Sequence, residues 1–216
     1  MRKFAICLLV LLLPITLLSG CNKSIDYFGY VSDMRKDIYV YSDDTTEIKI
    51  YVSEKETPFS ADGIKGKVSD IVEVFVKLDK TPEELNINLL GTQGEMNYQA
   101  VENRFYLGFS GIKEIPEKFE VTLTYGELSN VYTAESVKYG NIISCADALN
   151  CVIEHDTATF ENMTENNIFN GEIFVRLLFD EGCYYYVGVC GRDKKINAYL
   201  IDGERGKVIT KKQLSA

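Results

Sequence analysis

The chain has 216 residues, with 32 acidic against 23 basic side chains and a formal net charge of −9. Phosphate backbones are bound chiefly by clustered Lys and Arg, and no such cluster appears, so nucleic acid is excluded as a partner; anionic lipid head groups would likewise be repelled. The length is enough for a sizeable core, in one large domain or two small ones.

Reading from the start, Arg2 and Lys3 are basic, Phe4 to Leu18 is almost wholly apolar, and small residues follow. A permanent membrane helix needs roughly 20 apolar residues to cross ~30 Å of hydrocarbon. This run is shorter and contains Pro14, so residues 1–20 read as a removable secretory signal. Its end, Leu18-Ser19-Gly20-Cys21, resembles the lipobox of bacterial lipoproteins, whose cysteine is acylated and becomes the first mature residue. That resemblance implies a diacylglyceryl group on Cys21, a lipidated linker over residues 21–26, and residence at the extracytoplasmic face of a cell membrane. Two or more acyl chains anchor stably where one holds only marginally, at ~0.8 kcal/mol per buried methylene. Removal of residues 1–20 takes away Arg2 and Lys3, so 23 basic residues become 21 against 32 acidic ones and the net charge moves from −9 to −11.

From Tyr27 to Tyr139 strand-like runs alternate with turn formers. Ile48, Ile50 and Val52 alternate with Glu47, Lys49 and Tyr51, and Val72, Val74, Val76 and Leu78 alternate with Glu73, Phe75 and Lys77. Both have the period of two of a strand with one buried face. Leu85-to-Leu89, Phe105-to-Phe109, Phe119-to-Tyr125 and Val131-Tyr132 follow, punctuated by Ser42-Asp43-Asp44, Ala61-Asp62-Gly63, Gly91-to-Gly94 and Gly126-Glu127. Six to eight short strands without a helix predict an antiparallel β-sandwich over 27–139. In strand count and spacing this segment resembles a bacterial immunoglobulin-like domain. It contains no Trp and no Cys after Cys21, so the tryptophan and disulfide of antibody-type domains are missing, and a partly open barrel is the rival architecture.

Past Gly140 the pattern changes. Ile142 to Ile153 predicts a helix, capped by Ser144 with Asp147 three residues on and burying Leu149, Val152 and Ala148 or Cys145. After a polar stretch from Glu161 to Asn170, strands are expected at Ile173–Phe179, Cys183–Cys190, Ile196–Ile201 and Lys207–Thr210, joined by tight-turn residues. The fold class is therefore mainly β: an N-terminal antiparallel sandwich, then a small α+β domain over 140–216 with one helix on an antiparallel meander. Tyr184-Tyr185-Tyr186-Val187-Gly188-Val189, a charged turn, Ile196-Asn197-Ala198-Tyr199-Leu200-Ile201-Asp202 and Gly206-Lys207-Val208 resemble the PepSY domain, and the Ser144-led helix fits that family's opening helix. Extra residues between helix and aromatic strand depart from it, and read as an added strand or a separate loop. Asp202, followed by Gly203 and Gly206, reads as a residue that bonds turn amides.

With Cys7 in the signal and Cys21 lipidated, Cys145, Cys151, Cys183 and Cys190 remain, in a compartment that permits disulfides. On one helix Cys145 and Cys151 lie about 9 Å apart by rise alone, beyond the ~7 Å limit for bridged Cα atoms. Cys183 and Cys190 lie ~23 Å apart on one strand. Only helix-to-strand bridges are left, and the odd spacing puts Cys183 and Cys190 on opposite sheet faces unless a bulge at Gly188 resets the register, so at most one bridge, with some free thiols, is expected. None of the spacings suits zinc or a thioredoxin-like motif, and no metal or cofactor is called for.

His155, the single histidine, sits beside Asp156 at the helix end, where the helix dipole favours it. Asp43-Asp44 and Glu83-Glu84 are adjacent pairs, unlike the facing carboxylates of a glycosidase, and nucleophile-elbow and nucleotide fingerprints are missing. The Tyr184–Tyr186 run straddles both faces of its strand, so at least one ring is exposed if the opposite face is open to water; such a ring serves as a binding surface or, more usually, in cross-strand packing. The expected function is that of a non-enzymatic, membrane-anchored binding lipoprotein. The PepSY resemblance implies contact with, or restraint of, an envelope protein such as a peptidase. The alternative is an extracytoplasmic hydrolase or thiol enzyme that uses His155 with a cysteine.

Overall fold

The computed structural model describes residues 25–57 and 66–215; the expected signal and lipobox, Cys21, and the turn expected at Ala61-Asp62-Gly63 lie outside them. The fold is mainly β, as expected. A single 3-10 turn, Tyr27–Tyr30, leads into β1 (Val31–Ser42), β2 (Thr46–Thr57) and β3 (Lys67–Leu78). Then come β4 (Asn86–Leu89), β5 (Thr92–Glu95), β6 (Asn97–Gln99), β7 (Arg104–Ser110), β8 (Lys118–Tyr125) and β9 (Leu128–Ser136).

These nine strands form two layers. One runs β1-β2-β3-β7-β6 and the other β9-β8-β4-β5. Alternating Ile48, Ile50, Val72, Val74 and Val76 on the first meet Ile87, Leu89, Val121 and Leu123 on the second, all in one buried cluster. The layers join along one edge, where Tyr39 and Val40 of β1 pair with Ser136 and Glu135 of β9. At the other edge β5 and β6 each pair with a single strand. The result is a sandwich closed on one side in the manner of a barrel.

The second half opens with α1 (Cys145–His155). Its capping box is complete: Ser144 Oγ accepts from the Asp147 amide at 3.1 Å, and the Asp147 carboxylate accepts from the Ser144 amide at 3.2 Å. Cys145, Ala148, Leu149 and Val152 form the buried stripe, at the i, i+3, i+4, i+7 spacing of one helix face. The polar stretch after it holds α2 (Thr157–Asn162) and a minimal hairpin, β10 (Thr164–Glu165) and β11 (Ile168–Phe169). The residues expected as a loop or an added strand are thus a helical turn and a hairpin, which bury Phe160 and Phe169 completely. The meander follows as β12 (Gly171–Phe179), β13 (Cys183–Gly191), β14 (Lys195–Asp202) and β15 (Val208–Ser215), the last strand extending five residues beyond the expected Thr210.

The two halves share a strand. β1 pairs with β12 in parallel from Val31↔Ile173 to Arg35↔Arg176 and antiparallel with β2 on its other side, so the sheet runs unbroken from β15 to β6. Val31, Met34 and Ile38 pack in the core under α1, while neighbouring Tyr39 packs in the sandwich core. Register slips opposite both partners, at Val31/Asp33 and at Arg35/Asp37, are bulges that bend the strand and let it serve both cores.

Candidate functional site

All four cysteines of the folded body are free thiols. Cys145 Sγ donates to the Arg35 carbonyl at 3.6 Å, and Cys183 Sγ to the Val137 carbonyl at 3.3 Å. Cys190 Sγ points to the Gly191 carbonyl at 3.6 Å, and Cys151 is half-buried. The β12–β13 ladder has no bulge; Cys183 joins the core under α1 and Cys190 does not. Burial pushes the Cys145 thiol up to about 11 and raises the other three, so thiolate is scarce near neutrality. His155 is exposed on the last turn of α1. Among the described residues no group of three His, Cys, Asp or Glu side chains is placed to hold a metal.

Its neighbour Asp156 has a structural task. At the α1–α2 junction its Oδ2 accepts from Tyr199 Oη, from Thr159 Oγ1 at 2.7 Å and from Lys211 Nζ, tying both helices to β14 and β15. Partial burial pushes the carboxyl up, but these three donors and the Lys211 charge outweigh it and hold it well below the usual range. Asp202 acts as read from the sequence: Oδ1 accepts from the Glu204 and Arg205 amides at 3.0 and 2.9 Å. Gly206 closes that turn at φ +63°, where a Cβ would stand 3.2 Å from Cys151 Sγ.

The feature with a surface of its own is the outer face of the main sheet. Directly opposed residues share a face, and the register sets Leu178 against Tyr184, Arg176 against Tyr186 and Tyr186 against Leu200. It continues through Arg176↔Arg35 and Arg35↔Ser53 to Tyr51, two residues along β2, and to Phe75↔Tyr106 across β3 and β7. The rings form a ladder: Tyr51 to Phe75 is 5.3 Å between centroids and Phe75 to Tyr106 is 5.2 Å. Guanidinium groups cap it, Arg35 lying 3.8 Å over Tyr51 and Arg104 4.2 Å over Phe75. Phe75, Tyr106, Leu178, Tyr184, Tyr186 and Leu200 are half-buried, and none of them belongs to either core. Two shallow clefts lie along the face, one of about 200 Å³ between Lys49, Tyr51, Phe75 and Arg104, the other of about 330 Å³ between Asp33, Lys55, Phe174 and Arg176.

Of the Tyr184–Tyr186 run, Tyr185 is wholly buried and donates to the Ile143 carbonyl at 2.6 Å, while Tyr184 and Tyr186 stand on this outer face. Alternation along β13 carried that much. The guanidinium stacks were not in view from the sequence, because Arg35, Tyr51, Phe75 and Arg104 come from four strands whose register no local pattern fixes. Comparison with protein-family models, with curated proteins and with solved structures finds no match for the chain.

Proposed function

We propose that the chain is a non-enzymatic binding lipoprotein. Lipid on Cys21 holds it at the extracytoplasmic face of the membrane, and the PepSY-like half, with the sheet it shares, contacts and restrains an envelope protein such as a peptidase. The observation that carries the reading is the outer sheet face, where Phe75, Tyr106, Leu178, Tyr184, Tyr186 and Leu200 lie half-buried outside both cores and guanidiniums stack on Tyr51 and Phe75. Tyr and Arg are the side chains that dominate the energetics of protein contacts. The thiol-enzyme alternative asks His155 and a cysteine to face one pocket. His155 is exposed, no hydrogen bond joins it to a thiol, and burial keeps the thiols protonated, so no observation favours it.

Two experiments on the intact gene product test the reading. Cys21→Ser should move the protein from the membrane to the soluble fraction, and unchanged retention would refute the anchor. Photo-crosslinking in the native cell from Tyr186 should give an adduct with one envelope protein whose activity the mature chain reduces; a mature chain that neither crosslinks nor inhibits would end the restraint model. The bait must keep β1, since residues 140–216 alone lack the Val31, Met34 and Ile38 layer of their own core.

A further inference from the structure

We infer that the end of the folded body carrying the 3-10 turn and the β10–β11 hairpin rests on a lipid bilayer, seating Phe28 and Ile168 in its headgroup layer. The inference rests on the lipid anchor proposed above and names the surface that the anchor brings into contact.

The reach of the chain sets the distance. Lipid on Cys21 leaves only residues 22–24 between the anchored residue and Ile25, the first described position, and four residue steps span at most ~14 Å at ~3.3–3.6 Å each. The exit point is in turn locked to the body. Tyr27 packs edge-on against Phe160 and Phe169, at 5.0 and 5.4 Å between ring centroids, and Tyr30 against Phe169 at 5.4 Å. The Phe169 amide donates to Tyr30 Oη at 3.5 Å, and Phe160 and Phe169 are fully buried. So short a tether keeps this end beside the anchor however the body tilts, at high effective concentration.

The segments gathered there suit such a boundary. Asn166 and Asn167 take left-handed φ of +52° and +62°, the two-residue turn that closes a tight hairpin, and β10 and β11 stand apart from the main sheet. Successive strand residues point oppositely: Phe169 is buried against Tyr27 and Tyr30, whereas Ile168 is 53% exposed. Phe28, between the two tyrosines, is 37% exposed, and neither it nor Ile168 joins a core. The charge of the whole chain opposes anionic lipid, yet here Asp26, Glu161, Glu165 and Asp193 stand against Arg192, Lys194 and Lys195, close to balance. Arg192 ties the β13–β14 turn to this end by donating to Asn170 Oδ1 at 2.7 Å. Apolar side chains amid balanced charge fit a zwitterionic bilayer surface, where buried apolar area sets the binding strength.

The seat also orients the contact face. The β12–β13 ladder starts at Gly171↔Gly191, next to Phe169 and Asn170, and ends at Phe179↔Cys183, ~26 Å further along at ~3.3 Å per residue. Tyr184 and Leu178 therefore stand at the end away from the bilayer.

The chain contains no Trp, so single Phe28→Trp, Ile168→Trp and Tyr184→Trp variants report each position separately. They are to be lipidated and reconstituted into vesicles of phosphatidylcholine brominated high on its acyl chains. All three side chains lie outside both cores, so thermal unfolding should match the parent chain. Trp at 28 and at 168 should lose about half of its emission or more, being seated ~5–10 Å into the headgroup and acyl boundary, and Trp at 184 should lose none. Adding Ile168→Asp to the Phe28→Trp chain should relieve quenching at 28 while the protein still floats with the vesicles. Flotation reads the anchor, and quenching reads the seat. A chain that floats with 28 and 168 unquenched overturns the inference and spares the anchor; equal quenching at all three positions does the same, because the body then has no preferred side. A chain that does not float removes anchor and seat together.

Discussion

Ile38→Ala is the substitution that most directly asks whether the chain unfolds as one unit. Ile38 is 2% exposed, lies in the core under α1, and is flanked by Tyr39, which belongs to the sandwich core. The change deletes three carbons, worth about 2.4 kcal/mol of transfer at ~0.8 kcal/mol each. Incomplete collapse of the cavity adds to this, giving about 3 kcal/mol, within the 2–5 kcal/mol range of such truncations. Because β1 pairs with β12 on one side and β2 on the other, that loss should be felt in both halves. Hydrogen exchange followed by mass spectrometry should show amide protection falling by roughly a hundredfold, at ~1.4 kcal/mol per decade, in β13 and β14 and equally in β3 and β8. A fall confined to β12–β15 and α1, with the sandwich strands unchanged, would refute the claim that the shared strand couples the two cores.

Asp156→Ala removes the acceptor of three donors and should cost about 1–3 kcal/mol in chemical denaturation, toward the lower end because the Lys211 pair reaches solvent. Since the folded state holds this carboxyl below its ordinary value, its contribution is complete above the unfolded pKa and drains away as pH falls below about 4; the variant should lose that part of the acid sensitivity, and an unchanged acid profile would contradict it. Asp37 has the opposite sign. Burial raises it, against hydrogen bonds from Ser136 and the Ile38 amide, so stability should decline as pH rises from the ordinary carboxylate value through the raised one, and Asp37→Asn should flatten that slope in a pH series of unfolding curves. Alkylation of the native chain should label Cys151 first, with Cys145, Cys183 and Cys190 reacting only after unfolding; a disulfide or rapid labelling of Cys145 in the intact protein would contradict the free, protonated state.

What the sequence disclosed follows from how local each signal is. The alternation at Ile48–Val52 and Val72–Leu78 and the Ser144/Asp147 pair act within a few residues, and the corresponding strands and capped helix stand where those patterns lie. β1 was hidden for a physical reason. Its apolar residues, at 31, 34, 38, 39 and 40, follow neither period, because two bulges shift the register and opposite faces enter different cores. α2 was masked by its polar surface, with Phe160 as the single fully buried side chain to mark it. The outer-face patch depends on long-range pairing, and no spacing along the chain reveals that Arg35 lies over Tyr51.

The parallel pair between β1 and β12 also sets a timetable. Val31 meets Ile173, so the strand made first finds that neighbour only after the chain between them has emerged. Contacts of such separation close slowly, and an unpaired edge is exposed meanwhile. The polypeptide therefore acquires its final cohesion only once its last strands have arrived.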